Sequence, residues 1–85
     1  MSKKDKLLSS VMSGKKDKNI LFTDLCRLLN FLGLDYRISG SHHIFYKENI
    51  IEILNIQPDG KLSKPYQVKQ VREFILEYGL GGKDE

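Results

Sequence analysis

Eighty-five residues, 40% of them hydrophobic and 29% charged, predict one small globular domain with a single core. No apolar run approaches the roughly 18 residues a membrane span needs, and one cysteine cannot make an internal disulfide, so the expectation is a cytoplasmic protein with no membrane association. The net charge of +3 is uneven: residues 1–18 hold six lysines against Asp5 and Asp17, for +4, and the remainder holds eight basic against nine acidic residues, for −1. Basicity thus belongs to an arm, and the high isoelectric point is a weak argument for a nucleic-acid surface.

Leu7, Leu8, Val11 and Met12 fall on one side of a short helix over residues 4–13, which Gly14 ends. That apolar stretch is too broken for a secretory leader. Residues 1–19 are read as a basic extension, solvated or attracted to phosphate, in front of a domain over residues 20–80. The next helix is expected over residues 24–32, with Thr23 as N-cap, Asp24 near the positive helix end, and Leu25, Leu28, Leu29 and Leu32 as its stripe. Gly33 supplies a left-handed stop, and Leu34 tethers it. Cys26 lies inside this pattern, where a free thiol behaves as a small core residue.

The period then changes to two. A first strand over residues 36–39, a turn at Ser39-Gly40, a second strand from His42 to Lys47, a turn at Glu48-Asn49 and a third strand over residues 50–57 read as an antiparallel meander. Residues 58–65, with two prolines and Asp59-Gly60, are expected to be a polar loop that no strand crosses. Pro65 suits the first position of a closing helix with Val68, Val71, Phe74, Ile75 and Tyr78 on its buried side and Gly79 as its stop. A loose tail over residues 81–85 is expected to follow. The predicted class is α+β, in the order α-β-β-β-α behind the N-terminal helix, with the helices on one sheet face and the other face open.

Alternation places His42, Ile44 and Tyr46 on one face of the second strand and His43, Phe45 and Lys47 on the other. Either Ile44 or Phe45 can be buried; with Phe45 inward, His42 and Tyr46 come out on the open face, with Arg37 close by. An imidazole both takes and gives a proton near neutral pH, and RNA cleavage needs a proton taken from a 2′-hydroxyl, charge stabilised at phosphorus and a proton given to the departing 5′-oxygen. His42 can fill one proton-transfer role and Arg37 or a lysine can meet the phosphate. Spacing alone does not make this a site, and on spacing alone both histidines read better as half-buried strand residues. Lys64, Lys69 and Arg72 around the last helix, with Lys61 before it, are phosphate contacts or a solvated face balanced by Glu73 and Glu77. Tyr66 and Tyr78 are read as helix-packing residues. Adjacent strand histidines cannot readily share one ion, and no third histidine or nearby cysteine completes a shell, so no metal and no small-molecule cofactor are expected.

Gly40-Ser41-His42-His43-Ile44-Phe45, with Arg37 upstream and Leu32-Gly33-Leu34 closing the preceding helix, resembles the HicA (YcfA-like) toxins of bacterial type II toxin–antitoxin systems over residues 23–80. The resemblance implies a double-stranded-RNA-binding-domain-like fold and a ribosome-independent endoribonuclease, an mRNA interferase restrained by a HicB-like antitoxin. Its motif carries the catalytic role to His42, with His43 as the fallback, and the RNA contacts fall to Arg37, Ser41, Lys47, Lys64 and Lys69. Many relatives have a Pro-x-His segment after the third strand; here Asn55-Ile56-Gln57-Pro58-Asp59 stands in its place with no histidine. A non-catalytic RNA-binding module on the same fold, and a protein adaptor using an open sheet face or an exposed strand edge, are the alternatives.

Overall fold

The computed structural model describes residues 2–81. Helix α1 spans Lys3–Ser13, α2 Phe22–Phe31 and α3 Pro65–Tyr78, with a 3₁₀ turn at Asp17–Asn19. Strands β1 Asp35–Ser39, β2 His42–Lys47 and β3 Ile50–Ile56 form an antiparallel sheet in the order β1-β2-β3, and β4 Pro58–Asp59 pairs with β5 Leu62–Ser63. The chain is therefore an α+β protein with a three-stranded antiparallel sheet and three helices. Of the expected tail over residues 81–85, all but Gly81 lies outside the described residues. Among the described residues, no helix is long and apolar enough to cross a membrane.

The register of the meander decides which side chains are covered. Tyr36 faces Phe45, Ile38 faces His43, Phe45 faces Leu54 and His43 faces Ile56, so these residues share one face. Phe45, Leu54 and Ile56 on that face are 0% exposed and join Leu25, Leu28 and Leu29 of α2 and Val68, Val71, Phe74 and Ile75 of α3 in one core. The opposite face carries Arg37, His42, Tyr46, Ile53 and Asn55, all exposed, and a half-buried Ile44. Phe45, rather than Ile44, is the inward residue of β2. The register slips between Phe45 and Lys47, where Lys47 pairs with Ile50.

Two helix ends follow backbone chemistry closely. Gly33 takes φ 94°, the Gly33 N–H donates to the Asn30 carbonyl and the Leu34 N–H to the Leu29 carbonyl, a left-handed closure that leaves Leu34 buried under α2. Gly79 ends α3 in the same way at φ 63°, with the Leu80 N–H on the Ile75 carbonyl.

Three local expectations are corrected. Thr23 is not the N-cap of α2: the helix starts at Phe22 with Leu21 as its N-cap and no side-chain cap, and the Phe22 N–H is satisfied instead by the Lys61 carbonyl at 3.0 Å. A tertiary acceptor has taken the place of the local one. Residues 58–65 are not strand-free, because Pro58 opens β4, where a missing N–H is tolerated, and Gly60 at φ 63° turns the chain into β5. The N-terminal helix is also more than a solvated arm. Its lysines reach solvent, but Val11 is 1% exposed in the core, and the Arg72 guanidinium ties this end of the chain down, donating to the Val11 carbonyl at 3.0 Å and to both carboxylate oxygens of Asp17 at 3.0 and 3.1 Å.

Candidate functional site

β2 begins where β3 ends, and both meet the first turns of α3. The two-residue loop Gly40-Ser41, with Gly40 at φ 62°, closes the β1–β2 hairpin on the pair Ser39 and His42. His42 is thus the first residue of its strand, exposed, on the face opposite the core. Its Nδ1 lies 2.9 Å from Asn55 Oδ1, and the Gln57 amide Nε2 lies 2.7 Å from His42 Nε2 and 3.1 Å from His42 Nδ1. One tautomer satisfies both short contacts. In that assignment Nδ1–H donates to Asn55 Oδ1 and Nε2 accepts from the Gln57 amide, and the longer approach of the same amide to Nδ1 is proximity to a nitrogen whose hydrogen is already committed.

Gln57 is itself held. Lys64 Nζ donates to its Oε1 at 3.1 Å, and its backbone N–H donates to Gln67 Oε1 at 3.0 Å. Gln67 is 5% exposed and also donates through Nε2 to the Asn55 carbonyl at 3.3 Å, so a buried carboxamide from α3 fixes the last turn of β3. His42, Asn55, Gln57, Tyr66, Gln67 and Gln70 line a shallow cleft of about 270 Å³. Its lining is an imidazole, four carboxamides and one phenol, with no carboxylate. Tyr66, 64% exposed, is not the packing residue the sequence suggested, and it stands one helical turn from Gln70 on the cleft wall. Tyr78 does pack, against Phe74 at 4.8 Å between ring centroids, and its hydroxyl donates to Glu52 at 3.0 Å.

The other expected site residues are spread out. Lys64, the N-cap of α3, reaches the His42 network through Gln57. Arg37 shares the face of His42 but pairs with Ile44, further along the sheet, and no hydrogen bond joins it to His42 among the described residues. Ser41 sits in the exposed hairpin loop and Lys69 on the solvent side of α3. Lys47 lies on the covered face, its ammonium against Gly33 at the end of α2, where a β-carbon would come within 2.7 Å of Nζ. It is not beside His42, because alternation puts positions 42 and 47 on opposite faces.

His43 occupies different surroundings. Its ring meets Phe22 edge-on at 4.9 Å and lies near Tyr36 at 6.2 Å, and its Nδ1 is buried without a hydrogen-bond partner. With Phe22, Thr23, Cys26, Arg27, Asn30 and Tyr36 it lines a second hollow of about 280 Å³ between α2 and β1. Burial pushes the Cys26 thiol up to about 11. No cluster of three or more His, Cys, Asp or Glu side chains able to hold a metal ion occurs among the described residues.

Asn55, Gln57, Gln67 and Gln70 are not picked out as site residues by the sequence. Nothing in their spacing announces them, although alternation along β3 does place Asn55 on the face of His42 once the register is known. Comparisons with protein-family models, with curated proteins and with solved structures return no match for this chain.

Proposed function

We propose that this chain is an RNA-directed toxin of the HicA type, a ribosome-independent endoribonuclease that acts in the cytoplasm on mRNA and is neutralised by a HicB-like antitoxin. The sequence resemblance at Gly40-Ser41-His42-His43 supplies the family, and with it a double-stranded-RNA-binding-like version of the α+β fold. The observation that carries the chemistry is the placement of His42: exposed on the cleft, with Nδ1 2.9 Å from Asn55 Oδ1, so that the tautomer in which Nδ1–H donates to Asn55 leaves Nε2 as the basic nitrogen.

In this reading the 2′-hydroxyl of a bound ribose replaces the Gln57 amide as the donor to Nε2. Nε2 takes its proton, the 2′-oxygen attacks phosphorus, the bond to the 5′-oxygen breaks, and water supplies the proton to the leaving oxygen. The products are a 2′,3′-cyclic phosphate and a free 5′-hydroxyl. The Lys64 ammonium, already drawn toward the cleft by Gln57, meets a non-bridging phosphate oxygen as charge builds there. Arg37, Ser41 and Lys69 lie further out and hold flanking phosphates. Asn55 acts as a positioning residue that fixes the tautomer and the ring plane. Induced expression of the wild-type chain is expected to arrest growth and His42→Ala to relieve the arrest at equal protein level; arrest by the alanine variant removes His42 from the mechanism.

One observation favours a second reading. The side chains hydrogen-bonded to His42 are neutral carboxamides, and among the described residues no second proton-transfer side chain is hydrogen-bonded to the ring. A non-catalytic RNA-binding module would use the same cleft for recognition through Tyr66 and the amides, with phosphates held by the lysines. Intact RNA recovered after long incubation with a protein that binds it selects this reading over the first.

A further inference from the structure

Strand β1 is an edge of the sheet, and all five of its residues are exposed. The hairpin fixes which way its backbone points. Ser39 and His42 close a two-residue loop and are therefore a hydrogen-bonded pair, so Asp35, Arg37 and Ser39 turn their N–H and C=O groups toward β2. Tyr36 and Ile38 turn theirs outward. No backbone or side-chain bond from outside the sheet meets those groups among the described residues. Tyr36 and Ile38 are also 45% and 59% exposed, so the edge offers apolar side chains on the helix-covered side along with unpaired backbone. An edge of this kind is a template for another strand.

We propose that the occupant is β1 of a second copy of this chain, giving a reversible dimer with a continuous antiparallel sheet and a twofold axis through Tyr36. Charge selects both the partner and the register. With Tyr36 opposite Tyr36 of the second copy, the outward-pointing backbone groups of the two tyrosines bond reciprocally. Asp35 of each copy then stands directly opposite Arg37 of the other, on the face away from the helices, in a non-hydrogen-bonded pair where cross-strand side chains come closest. An axis through Arg37 would set two guanidiniums opposite each other, and an axis through Ile38 would pair Arg37 with Ser39. Only the Tyr36 register joins opposite charges twice. Ile38 then lies opposite Leu34, whose N–H already serves the Leu29 carbonyl and whose C=O is the acceptor for the Ile38 N–H. The inference does not rest on the RNA reading, since it concerns the sheet edge and not the His42 cleft, although Arg37, which that reading gives to a flanking phosphate, is the residue that meets Asp35 of the second copy.

The test is sedimentation velocity on the full chain over rising concentration, with circular dichroism to confirm folding. Wild type is expected to shift from monomer to dimer. Arg37→Asp and Asp35→Arg, which each oppose like charges, are expected to weaken the dimer at least tenfold, and the double reversal Asp35→Arg with Arg37→Asp to restore it. Ile38→Pro removes an N–H that β2 does not use and is expected to abolish the dimer with the spectrum unchanged. A wild-type chain that stays monomeric at every concentration overturns the proposal. So does a dimer indifferent to the single reversals and to Ile38→Pro, or a double reversal no better than the singles.

Discussion

His42 and His43 are neighbours in one strand, yet they live in different solvents. His43 points under the helices, its ring against Phe22 and one nitrogen buried without a partner; His42 points out, with both nitrogens engaged by carboxamides that water or a ligand can displace. The pleat alone makes this difference, and Phe45 sets its phase, because a side chain that large and 0% exposed fixes every odd position of β2 on the core side. A residue's chemistry here is decided by a packing residue two or three positions away.

The largest expected effect therefore comes from loosening that phase. Phe45→Ala removes a buried ring from the centre of the covered face and is expected to destabilise the fold by about 3–5 kcal/mol, a large share of what a domain this small possesses. Urea denaturation measures it, and a loss below about 1 kcal/mol would mean that Phe45 does not hold the sheet in place.

The covered side should also be chemically quiet. Cys26 lines the hollow beside His43, and burial raises its thiol from 9.0 to about 11, leaving about a hundredfold less thiolate at neutral pH than an ordinary cysteine. Alkylation by iodoacetamide at neutral pH is expected to be slow in the folded protein and to speed up as pH approaches that value. The folded state holds this proton more tightly than the unfolded chain, so whatever the thiol contributes to stability is complete below pH 9.0 and is lost as pH rises from there toward about 11. Alkylation as fast in the folded protein as in the denatured one would contradict the burial of Cys26.

The smallest effects sharpen the contrast most. His43→Leu exchanges an unsatisfied buried nitrogen for apolar contact with Phe22 and is expected to leave stability unchanged or raise it by up to about 1 kcal/mol, with activity retained. His42→Leu is expected to change stability by less than about 0.5 kcal/mol, since the side chain is exposed. Thermal melts of the two variants side by side check both signs. A strongly destabilised His42→Leu would assign the Asn55–His42–Gln57 network to the fold rather than to a ligand.

Much of this architecture was legible beforehand, for identifiable reasons. β2 runs from His42 to Lys47 as its alternation and flanking turns indicated, and Gly33 and Gly79 stop their helices because only a left-handed residue lets the last carbonyls find donors. The start of α2 was misjudged because its cap is a carbonyl from Lys61, remote in sequence, and the β4–β5 pair was missed because Pro58 is harmless at the first position of a strand. The core role of Val11 depends on Arg72 gripping Val11 and Asp17 from another helix, which no local pattern reveals. The site divides in the same way. His42 was visible from motif and pleat together, whereas Asn55 and Gln57, far along the chain, reach it only through strand register and the buried Gln67.

The most direct measurement is digestion of a mixed-sequence RNA by purified protein without ribosomes, comparing wild type with His42→Ala and analysing the cleaved ends. Cleavage by wild type to 2′,3′-cyclic phosphate ends, reduced about 10²- to 10⁴-fold in the variant, is the predicted result. Equal cleavage by the two proteins, or RNA left intact by wild type, would contradict the account.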